Sequence, residues 1–294
     1  MDHECRYFRR APHGAGSLTV ERVRARLLLL LLLLVAPGVA QAQSVVGILG
    51  IPTEVAPIEQ RLLDTREVAI RGYVFRVGTL NSRQVVVGRS GAGKVNAAIV
   101  TTLLIDHFQP SALFFSGTAR AIDPALRPGD VVIGAVVAQH DVGTQGTDGL
   151  RRRGLRNAVT RELEPLLLPA PEKLLAVARQ VASMLTLATI HTQEGDRAPR
   201  IVEGVIVTGD VFLTDAAHRD ELRKSLGATA VEMEGGSVIQ TCRQFLVACL
   251  IVRSITDRAD SQAQTNYEEF LTTASQNAAA VVTAIIEKQD TPTR

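Results

Sequence analysis

The sequence lacks tryptophan and is poor in aromatic residues, which make up 4% of its 294 residues. It also lacks a hydrophobic run long enough to cross a membrane, because its longest, residues 27–36, falls well short of the about 20 apolar residues that a spanning helix needs. The remaining composition, 46% hydrophobic and 21% charged, is ordinary for a globular protein with a full core. These features argue against an integral membrane protein.

Metal-ligand spacing and a strong excess of one charge are absent as well. The chain contains only three cysteines and six histidines, in no arrangement typical of a metal site, and its formal net charge is +2. A nucleic-acid-binding domain normally has a basic field that attracts phosphates. We therefore expect no metal, no organic cofactor and no nucleic-acid partner.

The amino-terminal segment has the three parts of a secretory signal peptide. Arginines precede the leucine run, and Ala40 and Ala42 place small residues at the two positions that a signal peptidase reads. We predict a signal peptide over residues 1–42, cleaved after Ala42. Cleavage would remove six arginines and three acidic residues, leaving 26 basic and 27 acidic side chains. We expect the cleaved protein to be periplasmic or secreted, without a membrane anchor.

Two cysteines, Cys242 and Cys249, remain after the predicted cleavage. An oxidising compartment permits a disulfide between them. Free cysteine also packs as a small hydrophobic residue, and the sequence does not give the distance between the two positions. We expect two buried free thiols, with a disulfide as the alternative.

Short apolar segments alternate with amphipathic ones from residue 45 onward. This alternation is typical of an α/β fold with a largely parallel sheet. The segment 143–170 is rich in glycine, arginine and proline, and we expect a long loop there. No linker or internal repeat divides the chain, so residues 43–294 are predicted to form one domain.

Polar residues follow the ends of several predicted strands. Glu54, Thr118, Glu234 and Asp257 each lie at or just beyond the carboxyl end of an apolar segment. Ligands bind along this edge in open α/β sheets. A buried carboxylate is costly unless it is paired or used, so these acids predict a ligand site.

A second motif resembles a phosphate-binding loop. Residues 88–94 read GRSGAGK, which matches the spacing of a P-loop, but the next residue is Val95, where a P-loop has the serine or threonine that binds magnesium. We interpret this segment as a tight glycine turn before a helix.

Several motifs occur in an order that resembles a known family. They are SGAGKVNAA, SGTA at residues 116–119, PGDVVI, TGDVFL, VEMEG and SITDRAD. Together they resemble the nucleoside phosphorylase and nucleosidase superfamily, and in particular its methylthioadenosine/S-adenosylhomocysteine nucleosidases. The resemblance implies a single-domain, three-layer α/β/α fold with a central mixed, largely parallel sheet. It also implies a homodimer that acts on a nucleoside.

The same resemblance implies roles for residues that would hold the nucleoside. Asp257 matches the general acid that protonates the purine, Glu234 the carboxylate that binds the ribose hydroxyls, and Met233 a side chain that packs on the sugar. Phe212 matches the ring that stacks on the base, and the backbone of Leu213 can read the purine edge. A free aspartic acid has a pKa near 3.9, so we expect Asp257 to lie in a partly dry site if it donates a proton at neutral pH.

The nucleophile side of the site follows from the same resemblance. Glu54 would polarise the attacking water, assisted by Thr118 and Arg253. Glu232 lies close in sequence, and it either belongs to the site or caps the following helix, since acids favour helix amino ends. The predicted activity is hydrolysis of the N-glycosidic bond of an adenosine-like nucleoside.

Two alternative functions remain open at this point. Arg120 stands where relatives have glycine, and a cation beside a strand end is a plausible phosphate site, which would suit a phosphate-dependent phosphorylase. The turn before Glu54 is one residue shorter than is usual in the nucleosidases, and a turn too short to align water would suit a non-catalytic nucleoside-binding protein. The neighbouring His140 and Asp141 are a further polar pair, more often structural than catalytic.

Overall fold

A computed structural model of the protein describes residues 44–192, 195–258 and 263–289. These belong to one compact unit that begins at Ser44. The predicted signal peptide lies outside the described residues, so it stays a prediction. In the part of the chain that is described, no helix combines the length and the hydrophobicity that crossing a bilayer requires.

The described residues contain fourteen strands and six helices. The strands are β1 Val46–Gly50, β2 Leu63–Ile70, β3 Tyr73–Leu80, β4 Arg83–Arg89, β5 Ala112–Ala121, β6 Val131–Gln139, β7 Gly143–Gly146, β8 Gly149–Arg152, β9 Leu168–Pro169, β10 Ile190–Thr192, β11 Gly195–Arg197, β12 Ile201–Thr208, β13 Ala228–Glu232 and β14 Ala248–Asp257. The helices are α1 Pro52–Glu59, α2 Lys94–Phe108, α3 Glu172–Ala182, α4 Ala216–Leu226, α5 Gly235–Gln244 and α6 Ala263–Lys288.

Ten of the strands form one mixed sheet in the order β13-β12-β6-β14-β5-β1-β4-β3-β2, with β9 paired to β6. The pairs β1–β4, β1–β5, β5–β14, β6–β12 and β12–β13 are parallel. An additional antiparallel pairing of β13 with β5 closes five strands into a ring. This confirms the predicted α/β fold with a mixed, largely parallel sheet.

Two apolar layers cover the sheet. On one side, side chains from α1, α3 and α6 pack against residues of β1, β5, β6 and β14. On the other side, side chains from α2 and α5 pack against alternate residues of the same strands. Successive side chains of a buried strand point to opposite faces, which explains why β1, β6 and the first halves of β5 and β14 are apolar at successive positions. The architecture is three-layered, as predicted.

The ring closure brings strand ends together. Ala230 and Val231, at the carboxyl end of β13, lie opposite Ala121 and Arg120, at the carboxyl end of β5. Asp257, the last residue of β14, pairs with Arg120 from the other side. Polar residues that follow different strands therefore meet at one place.

Two expectations about local structure were wrong. The segment 143–170 is not one long loop, because β7 and β8 form a hairpin and β9 adds to the sheet. Cys242 and Cys249 are not free thiols but form a disulfide. Cys242 lies on α5 and Cys249 on β14, and the short connection between these elements leaves their Cα atoms 6.2 Å apart, within the range that a disulfide can bridge.

Candidate active site

A cavity of about 220 Å³ opens where the strand ends meet. Its lining includes most of the predicted site residues and some that were not predicted. The lining residues are Ile51, Glu54, Ala92, Thr118, Ala119, Arg120, Val211, Phe212, Leu213, Val231, Glu232, Met233, Glu234, Thr256 and Tyr267.

Glu54 lies on the first turn of α1, directly after β1. Pro52 begins this helix, and its fixed φ suits the first helical position. The Glu54 carboxylate is buried and accepts hydrogen bonds from the Thr118 backbone N–H and hydroxyl, each at 2.8 Å, and from the Ile51 N–H at 3.2 Å. Burial raises the pKa of Glu54, and the charge of Arg253 and the Thr118 hydrogen bonds oppose this rise.

Arg253 and Glu232 form a buried ion pair beneath the cavity. Arg253 Nη2 lies 2.6 Å from Glu232 Oε2, and the Arg253 guanidinium also packs 4.1 Å from the centre of the Phe115 ring. Burial alone would lower the pKa of Arg253, but the neighbouring carboxylates raise it on balance. A Cβ at Gly117 would overlap both Arg253 Nη1 and Glu54 Oε2, so only glycine at this position lets the two groups approach each other.

Glu232 also caps the helix that follows it. Its Oε2 accepts hydrogen bonds from the backbone N–H groups of Glu234 at 3.1 Å and Gly235 at 2.7 Å, at the start of α5, and its Oε1 accepts one from the Thr208 hydroxyl. Glu232 therefore combines both of the roles that its position in the sequence suggested, because it lines the cavity and caps a helix.

Glu234 lies at the N-cap position of α5, with its side chain turned toward the cavity. Its Oε1 accepts a hydrogen bond of 2.8 Å from the Gly93 N–H, and its Oε2 lies 3.9 Å from Arg253 Nη2. Gly93 adopts a φ of 91°, which favours glycine. Burial, together with repulsion from Glu232, raises the pKa of Glu234 to about 7.

The P-loop-like segment, residues 88–94, donates a backbone hydrogen bond to the Glu234 carboxylate. Besides the Gly93 N–H bound to Glu234, the Lys94 N–H donates to Asp210, and the Lys94 ammonium lies 2.7 Å from Asp141. Asp141 thus holds the turn in place through Lys94, a structural role. The imidazole of His140 is buried, which lowers its pKa to about 4.

Phe212, Leu213 and Met233 lie on the cavity wall. Phe212 follows β12 and keeps 42% of its surface exposed, and its ring meets the edge of the Tyr267 ring with 6.4 Å between centroids. Tyr267, on α6, was not predicted. Nothing in the sequence near Tyr267 marks it, because it enters the site only through the packing of the last helix.

Asp257 ends β14 and is completely buried. Its Oδ2 accepts a hydrogen bond of 2.8 Å from the Thr256 hydroxyl, and its Oδ1 lies 3.3 Å from Arg120 Nε. Arg120 lines the cavity and Asp257 does not, so the arginine stands between the carboxylate and the open space. Asp257 is thus buried as expected, but its partners Arg120 and Thr256 are polar and not apolar.

Arg120, predicted as a phosphate ligand, lies beside the residues predicted to hold the base. Its guanidinium covers the Phe212 ring, and its Nη1 donates to the Leu213 carbonyl at 2.7 Å. Burial lowers the pKa of Arg120, and the charge of Asp257 opposes this effect. Eight of the ten predicted site residues thus line one cavity. Asp257 and Arg253 do not line it, but they contact Arg120 and Glu232, which do. Among the described residues, no group of three or more histidines, cysteines or acids is arranged to hold a metal ion.

Comparison with known proteins identifies the family. Residues 44–287 match the family described as the phosphorylase superfamily. A 5'-methylthioadenosine/S-adenosylhomocysteine nucleosidase of Exiguobacterium sp. is 37% identical over 245 residues, covering 83% of this chain and 97% of the relative. A Mycobacterium tuberculosis protein of the same name is 33% identical over 248 residues, covering 83% of this chain and 97% of that relative.

Solved structures give the same result. A Helicobacter pylori 5'-methylthioadenosine/S-adenosylhomocysteine nucleosidase in complex with a pyrrolopyrimidine-containing ligand has a TM-score of 0.72 and 29% identity, covering 84% of this chain and 99% of that chain. A futalosine hydrolase from the same species has a TM-score of 0.71 and 29% identity, covering 83% of this chain and 98% of that one. The chain therefore belongs to the phosphorylase superfamily, and within it to the N-glycosyl hydrolases that are nucleosidases.

Proposed function

We propose that this protein is a purine nucleosidase that hydrolyses the N-glycosidic bond of an adenosine-like nucleoside, such as methylthioadenosine or S-adenosylhomocysteine. One observation carries the proposal: the same cavity is lined by Glu54, whose buried carboxylate is held by hydrogen bonds, and by the Phe212 ring, and the buried Asp257 contacts Arg120 on its wall. Hydrolysis of such a bond passes through an oxocarbenium-like sugar, which needs an aligned nucleophile and a stabilised leaving group.

The nucleophile is a water molecule that Glu54 and Arg253 would hold. Thr118 fixes Glu54 Oε1 with two hydrogen bonds, so the carboxylate keeps one orientation. Arg253 Nη1 is buried and has no hydrogen-bond partner among the described residues. Arg253 Nη1, a donor, and the Glu54 carboxylate both lie next to Gly117, and they provide the two contacts that would orient an attacking water.

The sugar would lie between Glu234 and Met233. Glu234 Oε1 is fixed by the Gly93 N–H. Among the described residues its Oε2 has only the distant Arg253 contact at 3.9 Å, so this oxygen can accept hydrogen bonds from ribose hydroxyls. A carboxylate with a pKa of about 7 is largely ionised above neutral pH, where it would also stabilise the positive charge that develops on the sugar.

The base would stack on Phe212, with its edge along the Leu213 backbone, and Asp257 would protonate it as it leaves. Burial of Asp257 excludes water from the proton transfer. No step of this reaction requires a metal or an organic cofactor.

Product analysis tests the proposal. The mature protein is incubated with methylthioadenosine, adenosine and inosine, each with and without phosphate, and the products are separated by chromatography. We expect free base and free sugar without phosphate. A sugar 1-phosphate formed only with phosphate would identify a phosphorylase, and nucleoside binding by calorimetry without release of base would identify a binding protein.

We also propose a homodimer in which the partner helps to close the cavity. The proposal is supported by exposed apolar residues at the cavity mouth and the start of α2: Val211 is 53% exposed, Phe212 is 42% exposed and Val95 is 70% exposed. Covering such a patch would remove apolar surface from water. Sedimentation equilibrium should give twice the mass of the mature chain, and the mass of one chain would refute the dimer.

The proposed location is the periplasm or the cell exterior, after cleavage behind Ala42. The disulfide between Cys242 and Cys249 supports it, because such bonds persist mainly in oxidising compartments. Amino-terminal sequencing of the protein from the periplasmic fraction should begin at Gln43. An intact first residue, Met1, on a cytosolic protein would contradict this location.

A further inference from the structure

The Arg120 side chain makes the contacts that the proposed site would offer to a base. Its guanidinium covers the Phe212 ring, its Nη1 donates to the Leu213 carbonyl, and its Nε faces the Asp257 carboxylate. These are the ring, the backbone and the acid that would otherwise stack on the base, read its edge and protonate it.

The fold fixes this arrangement from two sides. The backbone of Arg120 is paired with Val231 of β13 on one side and with Asp257 of β14 on the other. The side chain is 7% exposed and lines the cavity. The sheet pairings of the Arg120 backbone therefore place this side chain at the cavity.

A base and the guanidinium cannot occupy this place together. A base that stacks on the face of the Phe212 ring that Arg120 covers has to displace the guanidinium. The guanidinium also lies against the Asp257 carboxylate, with Nε 3.3 Å from Oδ1, where a leaving base would have to approach the acid. The arginine therefore opposes both the binding of a base and the proposed proton transfer.

We propose that Arg120 is an internal ligand of the base subsite, and that a purine binds only by displacing its guanidinium from Phe212 and Leu213. This inference rests on the proposed function, since it takes Phe212 and Leu213 as the base subsite. Arg120 then determines specificity, because a base binds only if its own contacts outweigh those that the arginine gives up.

The contacts of Arg120 are weak enough for a ligand to displace its guanidinium. Its Nη2 is buried without a hydrogen-bond partner among the described residues, and an unsatisfied buried donor weakens the arrangement that contains it. When only a fraction of molecules is competent to bind, the apparent affinity falls by that fraction. Removing the side chain should therefore strengthen the binding of a base.

Calorimetry with free adenine tests this inference. We expect the variant Arg120→Gly to bind adenine at least about tenfold more tightly than the wild type, with Arg120→Lys in between, because lysine keeps the positive charge but cannot stack as a plane. Arg152→Gly is the matched control, since Arg152 pairs with Glu221 outside the cavity, and its adenine affinity should equal that of the wild type. Equal or weaker binding of adenine by Arg120→Gly, or binding by neither protein, overturns the inference.

Loss of the arginine leaves Asp257 without this cation, so the glycine variant could fail to fold. A crystal structure of the wild type with adenine provides the second measurement. A guanidinium moved away from Phe212 and Leu213, with adenine in its place, supports the inference. Adenine bound elsewhere, with the guanidinium in place, overturns it.

Failure of the proposed function would look different. In that case neither the wild type nor Arg120→Gly would release base from any purine nucleoside, whatever their affinities for free adenine. The inference alone fails if the wild type hydrolyses methylthioadenosine but removal of Arg120 does not improve adenine binding.

Discussion

Arg253 and Glu232 form an ion pair that is almost completely removed from solvent, with 2.6 Å between Nη2 and Oε2 and with side chains 1% and 2% exposed. The pair joins β14 to the end of β13 and leaves the second terminal nitrogen of Arg253 facing Glu54 across Gly117. The same arginine thus connects the packing of the sheet with the proposed water site.

The first prediction concerns stability. Arg253→Met should lower the free energy of unfolding by about 3–5 kcal/mol, because it leaves the Glu232 carboxylate buried without its cation. Urea denaturation measures this. The matched control is Arg61→Met, which removes an exposed bridge to Glu287 and should cost at most about 1 kcal/mol. Equal effects of the two substitutions would contradict the importance of burial.

The second prediction concerns water activation. Glu54→Gln should lower kcat at least about a hundredfold, because an amide keeps similar size but cannot take a proton from water. The control is Glu59→Gln on the same helix, whose carboxylate is also buried but binds Arg89 outside the cavity. Steady-state kinetics of base release compares the two. The assignment of Glu54 fails if both variants retain the wild-type kcat.

The third prediction follows from the pKa of Glu234, which the fold raises from 4.5 to about 7. A carboxyl group with a raised folded-state pKa contributes stability below its unfolded pKa, and this contribution is lost as the pH rises through the folded value. Relative to Glu234→Gln, the wild type should therefore lose about 3 kcal/mol of unfolding free energy between pH 4 and pH 8. Denaturation curves across this range measure the difference, and parallel pH dependences of the two proteins would refute the shift.

The fourth prediction concerns the disulfide between Cys242 and Cys249. Closing a loop of this length should stabilise the fold by about 2–3 kcal/mol through the unfolded chain. A reducing agent should lower the urea midpoint of the wild type but not that of the double variant Cys242→Ala/Cys249→Ala. The prediction is wrong if a thiol reagent labels Cys242 and Cys249 quantitatively in the native protein without prior reduction.

The fold could be predicted to a large extent because its signals are local. Buried strands such as β1 and β6 are apolar on both faces, and helices such as α3 and α5 have the matching periodicity. The pairing of β13 with β5 could not be predicted, because it joins segments more than a hundred residues apart through only two residue pairs. The cysteine pair was missed because the sequence does not fix the distance between a helix and the following strand.

The site was predicted through motifs, and its omissions have physical causes. Glu54, Glu234 and Phe212 stand next to turns that the sequence marks clearly. Tyr267 enters through tertiary packing alone. Arg120 was recognised as unusual, but its contacts with Phe212 and Asp257 depend on side-chain directions in the closed sheet, which a linear sequence does not contain.

The most direct measurement of the central claim is adenine release from methylthioadenosine in phosphate-free buffer by the wild type and by Asp257→Asn. The substitution keeps the size of the side chain and removes the proton that Asp257 is proposed to donate, so we predict release by the wild type and a loss of at least about a hundredfold in the variant. Turnover of the folded Asp257→Asn protein close to that of the wild type would contradict the account.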